Sequence, residues 1–167
     1  NLPAVQLFLN QPEVDVSIST FVGGIRRAPL EIANVEMANL LLQHNPAAIN
    51  HTDNFGVTPL HIAIDEGYAE KARFLIEAGA DINAQTNENC PWVHLKTPLR
   101  TAIYRGSIEI IDLLLERGVL IHNTELQMIV DSEFTALRGL KNLIIGARAL
   151  AMQAPQLEAR VRTAAKP

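Results

Sequence analysis

Residues 54–83 read NFGVTPLHIAIDEGYAEKARFLIEAGADIN, and the fold is decided in this stretch. Pro59 stands where a helix starts, because the first backbone N–H groups of a helix have no partner within it, and Thr58 before it carries a hydroxyl that can cap the first turn. The apolar run Ala72–Ile76 has the character of a helix, and Gly79 follows it where a chain leaving a helix takes up positive φ. The segment then ends in Asp81-Ile82-Asn83.

The same ending recurs. Val14-Asp15-Val16-Ser17, Ala48-Ile49-Asn50 and Leu120-Ile121-His122 occupy corresponding places, each behind an apolar helix-like run: Val5–Leu9, Ala38–Leu42 and Ile110–Leu115. Ser17 to Asn50 and Asn50 to Asn83 are each 33 residues, whereas Asn83 to His122 is 39, one period with an insertion of 6. A fixed period of this length is the mark of a stacked repeat protein.

Within the quoted unit lie Gly56, Thr58-Pro59-Leu60-His61-Ile62-Ala63, Gly67, Leu75-Ile76 and Gly79-Ala80-Asp81-Ile82-Asn83; the next unit has Thr97-Pro98-Leu99-Arg100-Thr101-Ala102, Gly106, Leu113-Leu114-Leu115 and Gly118. Motif by motif this resembles the ankyrin repeat, with Arg100 where the family has histidine. The resemblance implies an all-α solenoid of helix-turn-helix units joined by short hairpin loops. His61 is then expected to bond the threonine hydroxyl of its own turn. The preceding unit, Ala28-Pro29-Leu30-Glu31-Ile32-Ala33, is degenerate: it lacks a glycine corresponding to Gly67, and its first helix is expected to be shortened.

The expected organisation is an ankyrin-repeat domain over 1–154 and a tail or linker over 155–167. The domain comprises a partial repeat 1–17, a degenerate repeat 18–49, a repeat 50–82, a repeat with an inserted loop 83–121, and capping helices 122–154. In the capping segment Thr124 and Gln127 have the spacing of a capping box, and apolar residues recur at helical spacing from Leu126 to Ala151. Such a pair would cover the exposed end of the last repeat.

With 19% charged residues and a formal net charge of −4, the chain has no cluster of Lys and Arg able to neutralise a phosphate backbone, which argues against nucleic acid. It has no apolar run of 18 residues, so membrane insertion is not expected. The single Cys90 forms no internal disulfide and fits a reducing, cytoplasmic setting, or a host-cell cytosol for a secreted effector. A chain that begins at Asn1 reads as a piece of a longer protein, expected to be monomeric.

Chemistry finds little purchase. Cys90 and His94 are four apart, but a metal site or an activated thiol needs further ligands or an oriented base and oxyanion donors, and no other Cys/His cluster supplies them. There is no phosphate-binding glycine loop, HExxH or GxSxG. Asp65 and Glu66 are adjacent, so on a helix their carboxylates diverge and read as solvated groups. No catalytic residue, metal site or cofactor is expected.

The expected function is binding of another protein, with the alternative of a targeting or regulatory segment of a larger enzyme such as a secreted bacterial effector. The resemblance places the binding surface on a concave face, made of hairpin tips and the exposed ends of first helices. Carried over residue by residue, this gives Asn54, Phe55 and Val57 at one tip, Asp65 and Glu66 on its first helix, and Tyr104 and Arg105 on the next. The inserted loop adds Trp92, the only tryptophan, and His94. Two arrangements of the loop stay open: a finger that projects and binds, or a segment folded back with its indole packed on the stack. Asn83, with Leu75 and Asp81 before it, resembles the asparagine that an asparaginyl hydroxylase modifies in ankyrin repeats; the plainer reading is an asparagine bonding turn backbone.

Overall fold

In the computed structural model, which describes residues 20–22 and 25–131, the first helix of each described repeat starts at its proline. A short antiparallel pair, β1 (Thr20–Val22) and β2 (Ile25–Arg27), with Phe21 opposite Arg26, leads into α1 (Pro29–Ile32) and α2 (Val35–His44). Then come α3 (Pro59–Asp65) with α4 (Ala69–Glu77), and α5 (Pro98–Arg105) with α6 (Ile108–Glu116). The chain divides into two units after Leu120, and α7 (Asn123–Asp131) opens the second.

α3 and α5 are each capped by the threonine before the proline, whereas α1 follows Ala28 and has no side-chain cap. The Thr97 hydroxyl accepts the Arg100 N–H at 3.0 Å. Thr58 and His61 cap reciprocally: the His61 N–H points to Thr58 Oγ1 at 3.4 Å, and the Thr58 N–H donates to Nδ1 of His61 at 3.3 Å. The imidazole is wholly buried, and that burial lowers its pKa from 6.5 to about 4, against an opposing pull from the carboxylate of Asp81.

The glycine turns close the first helices in the same way twice: Tyr68 N–H reaches Ala63 O at 2.8 Å, and Ser107 N–H reaches Ala102 O at 3.0 Å. Gly67 and Gly106 between them sit at φ 76° and 69°, where a side chain would be strained. The degenerate repeat does without this turn. Ala33 N–H ends α1 on Pro29 O, and the next residue, Asn34, immediately caps α2 by accepting the Met37 N–H at 2.9 Å.

The stack is held by leucines and alanines at repeating places. Leu60 and Leu99, one residue inside α3 and α5, are wholly buried, as are Leu75 in α4 and Leu114 in α6. Ala63 and Ala102 are equally covered and leave room for helices to approach closely. α3 packs on α5 and α4, α4 on α6, and α5 on α6, while α1 and α2 pack on α3 and α4 respectively. Polar staples reach across a repeat: Asn50 Oδ1 accepts the Asp81 N–H, and Asn83 Oδ1 accepts the Leu120 N–H, each at 2.8 Å. Asn83 thus bonds backbone, but 37 residues further on rather than in its own turn.

In the second unit, α7 begins at Asn123, so Thr124 lies inside the helix and its hydroxyl donates to Glu125 Oε2 at 2.9 Å; it is not the cap that its spacing with Gln127 suggested. The partial repeat 1–17, the remainder of the capping segment and the tail lie outside the described residues.

Candidate functional site

The hairpin tip before α3 is shaped by Asp53, whose Oδ1 accepts the N–H groups of Phe55 at 2.8 Å and Val57 at 2.9 Å. Its neighbour is stitched to it through Asn87, which gives its N–H to Phe55 O and its side-chain amide to Asn54 O, both at 2.8 Å. Gly56 lies between them with φ 78°, and a Cβ there would come within 3.2 Å of the Asn87 nitrogen and the Gln85 carbonyl. Glycine therefore allows the two tips to touch.

The inserted loop does not project from the stack. Its base is closed by Thr86 N–H to Lys96 O and by Lys96 Nζ to Thr86 O at 2.7 Å. Leu95 is buried in the stack, and the Thr101 hydroxyl of α5 donates to the His94 carbonyl at 3.1 Å. The segment Val93–Leu95 makes one turn of 3-10 helix, which holds His94 over the end of the first helices.

Four of the expected contact residues meet there. Asp65 Oδ1 receives Arg105 Nε at 2.9 Å, Arg105 Nη2 at 2.8 Å and His94 Nε2 at 3.1 Å. The imidazole of His94 stacks on Tyr104 with ring centres 4.6 Å apart and planes 20° from parallel. Arg105 also lies 5.9 Å from the Tyr104 ring centre. Beside this group, Phe55 meets Trp92 edge to face at 5.7 Å. Trp92 keeps 38% of its surface exposed, Tyr104 57% and Val93 71%, so the loop is folded back yet its indole is only partly covered.

Of the expected positions, Val57 needs correction. Val57 is buried at 2% exposure and belongs to the core, because the Asp53 turn directs it inward. Asp65 joins two repeats, accepting from Arg105 and from His94 Nε2, and its side chain stays 21% exposed. Glu66 is exposed but diverges from Asp65, as neighbours on a helix do, and lines a different cavity with Gly67 and Tyr68. Asn54 stays exposed at the tip. Sequence reasoning missed Lys96 and Thr101; the hydroxyl at 101, where the preceding repeat has Ile62, was the one visible sign.

The Cys90 thiol points to Trp92 O at 3.7 Å, and the His94 imidazole is engaged by Asp65 and Tyr104. Among the described residues no group of three or more His, Cys, Asp or Glu side chains could hold a metal ion. No helix among them is long and apolar enough to cross a membrane.

Stacked helix pairs, stapled hairpin tips and a fixed aromatic-ionic face define a helical-repeat interaction scaffold. The sequence profile described as Ankyrin repeats (3 copies) matches residues 1–86 and 34–125, and the chain belongs to the ankyrin-repeat family. It is 36% identical over 114 residues to human Rabankyrin-5, covering 59% of this chain and 10% of that protein. It is 46% identical over 56 residues to human protein phosphatase 1 regulatory subunit 27, covering 34% of this chain and 35% of that protein. Rat ankyrin repeat and SAM domain-containing protein 6 is 32% identical over 89 residues, 53% of this chain and 10% of that protein. The chain thus spans a tenth to about a third of these relatives. Ankyrin repeats are in general protein–protein interaction modules.

Proposed function

We propose that this chain binds a partner protein through the face on which Phe55, Trp92, Tyr104 and Arg105 stand, and that it acts by binding rather than by catalysis. The observation that carries this reading is the anchored loop: Asp65, His94 and Lys96 hold Trp92 in place while its indole stays partly exposed. Trp, Tyr and Arg are the side chains that most often dominate interface energy, and a surface already rigid loses little entropy when a partner seats on it. A relative named as a regulatory subunit of a phosphatase is in keeping with a protein partner.

The test separates affinity from stability. Trp92 is 38% exposed and meets Phe55 edge to face, so Trp92→Ala is expected to lower stability by about 2–3 kcal/mol, mostly through lost burial. Against a partner isolated on the native protein, the same change is expected to weaken binding about thirtyfold, roughly 2 kcal/mol. Unchanged affinity, measured calorimetrically with melting curves alongside, contradicts the proposal.

A further inference from the structure

Helix to helix, the degenerate repeat is one turn short. From Pro59 to Ala69 and from Pro98 to Ile108 the first and second helices start ten residues apart, but from Pro29 to Val35 only six. Four residues are about one helical turn. What the neighbouring repeat supplies as Ile64–Gly67 is replaced by a direct junction in which Asn34 caps α2.

The shortening coincides with a cavity of about 820 Å3, walled by residues 31–36 on one side and 66–71 on the other. This is within the size range of peptide- and ligand-binding clefts, roughly 300–1,000 Å3. Ile32 and Tyr68 stand in it 58% and 54% exposed, large apolar groups left uncovered. Its lining carries three exposed glutamates, Glu36, Glu66 and Glu70, and two buried groups of opposite charge, Glu31 and Lys71. Lys71 donates to the Glu31 carbonyl, so its charge is drawn into the wall rather than offered at the opening.

We propose that this cleft is a second docking site, separate from the aromatic face, for a short peptide segment in which an aliphatic residue is flanked by lysine or arginine. The aliphatic side chain covers Ile32 and Tyr68, and the flanking cations meet Glu36, Glu66 and Glu70 at the rim. The acidic lining repels phosphate-bearing ligands for the same reason.

Fluorescence anisotropy of the labelled peptide Gly-Ser-Lys-Arg-Leu-Lys-Arg-Ser-Gly, titrated with the full chain near physiological salt, tests this. The peptide is expected to bind at least tenfold more tightly than a version with serine for leucine, and than one with glutamate for every basic residue. The double variant Glu36→Lys, Glu70→Lys is expected to lose at least tenfold in affinity. Inserting Ile-Asp-Glu-Gly between Ala33 and Asn34 restores the turn, adds negative charge, and is nevertheless expected to abolish binding by filling the cleft. Undiminished binding by a folded, turn-restored chain overturns the proposal, as does equal binding of the serine peptide or no binding at all. Should the insertion fail to fold, the charge-reversal variant decides alone.

Discussion

Acidification from pH 7 to pH 4 is expected to cost the folded state about 3 kcal/mol through His61 alone, with about 2 kcal/mol already gone at pH 5. The neutral imidazole is wholly buried and its Nδ1 accepts the Thr58 N–H, so a proton placed there both charges the core and breaks the helix cap. Its pKa is lowered to about 4 in the fold, against 6.5 when the side chain is free. Between these values the unfolded chain binds the proton and the folded chain does not. The stabilisation is therefore complete above pH 6.5, falls as pH drops toward 4, and changes no further below it. Carboxylates titrate in the same acid range, so the contribution is isolated by difference: urea unfolding of the native protein and of His61→Gln at pH 7 and pH 4.5. The native chain is expected to lose more than 2 kcal/mol beyond the loss of the variant; parallel losses contradict the assignment.

Leu99→Ala is expected to cost about 3 kcal/mol and lower the melting temperature by about 10 °C. Leu99 is wholly buried in α5, which packs against α3, α6 and the turn Val93–Leu95. Truncation removes the transfer energy of the side chain and leaves a void that rigid helix pairs fill only in part. Because repeats are stabilised by their neighbours, the loss weakens both sides of the stack. Leu120, 62% exposed, is the control, since surface truncation there is expected to cost less than about 0.5 kcal/mol. Thermal and denaturant unfolding of both variants checks the pair, and similar losses would contradict the placement of the core.

The parts of this fold legible in the sequence were those governed by local chemistry. Thr58-Pro59 and Thr97-Pro98 announce helix starts because capping and a fixed proline φ act within a few residues. The shortened helix of the degenerate repeat was visible from the lack of a glycine turn after Ala33. The insertion was located by its length but not by its course, because its direction depends on pairs distant in sequence: His94 with Asp65, Trp92 with Phe55, Lys96 with Thr86. Val57 was misplaced for a related reason, since a hairpin tip alternates inward and outward and only the Asp53 turn decides the phase. Asp65 and Glu66 read alike as exposed acids, yet one anchors Arg105 while the other lines the cleft beside the shortened helix. That cleft was not foreseen, because an absent turn shows its effect only against a neighbour that has one.

Hydrogen exchange of the native protein with and without its bound partner tests the binding face most directly. Amides of the loop from Asn87 to Leu95 and of the tip around Asn54 and Phe55 are expected to slow when the partner is bound, since these segments carry Trp92 and its ring partner. The outer helices Ala69–Glu77 and Ile108–Glu116 are expected to exchange as they do in the free chain. Protection confined to those outer helices, with the Trp92 loop unchanged, would contradict the account.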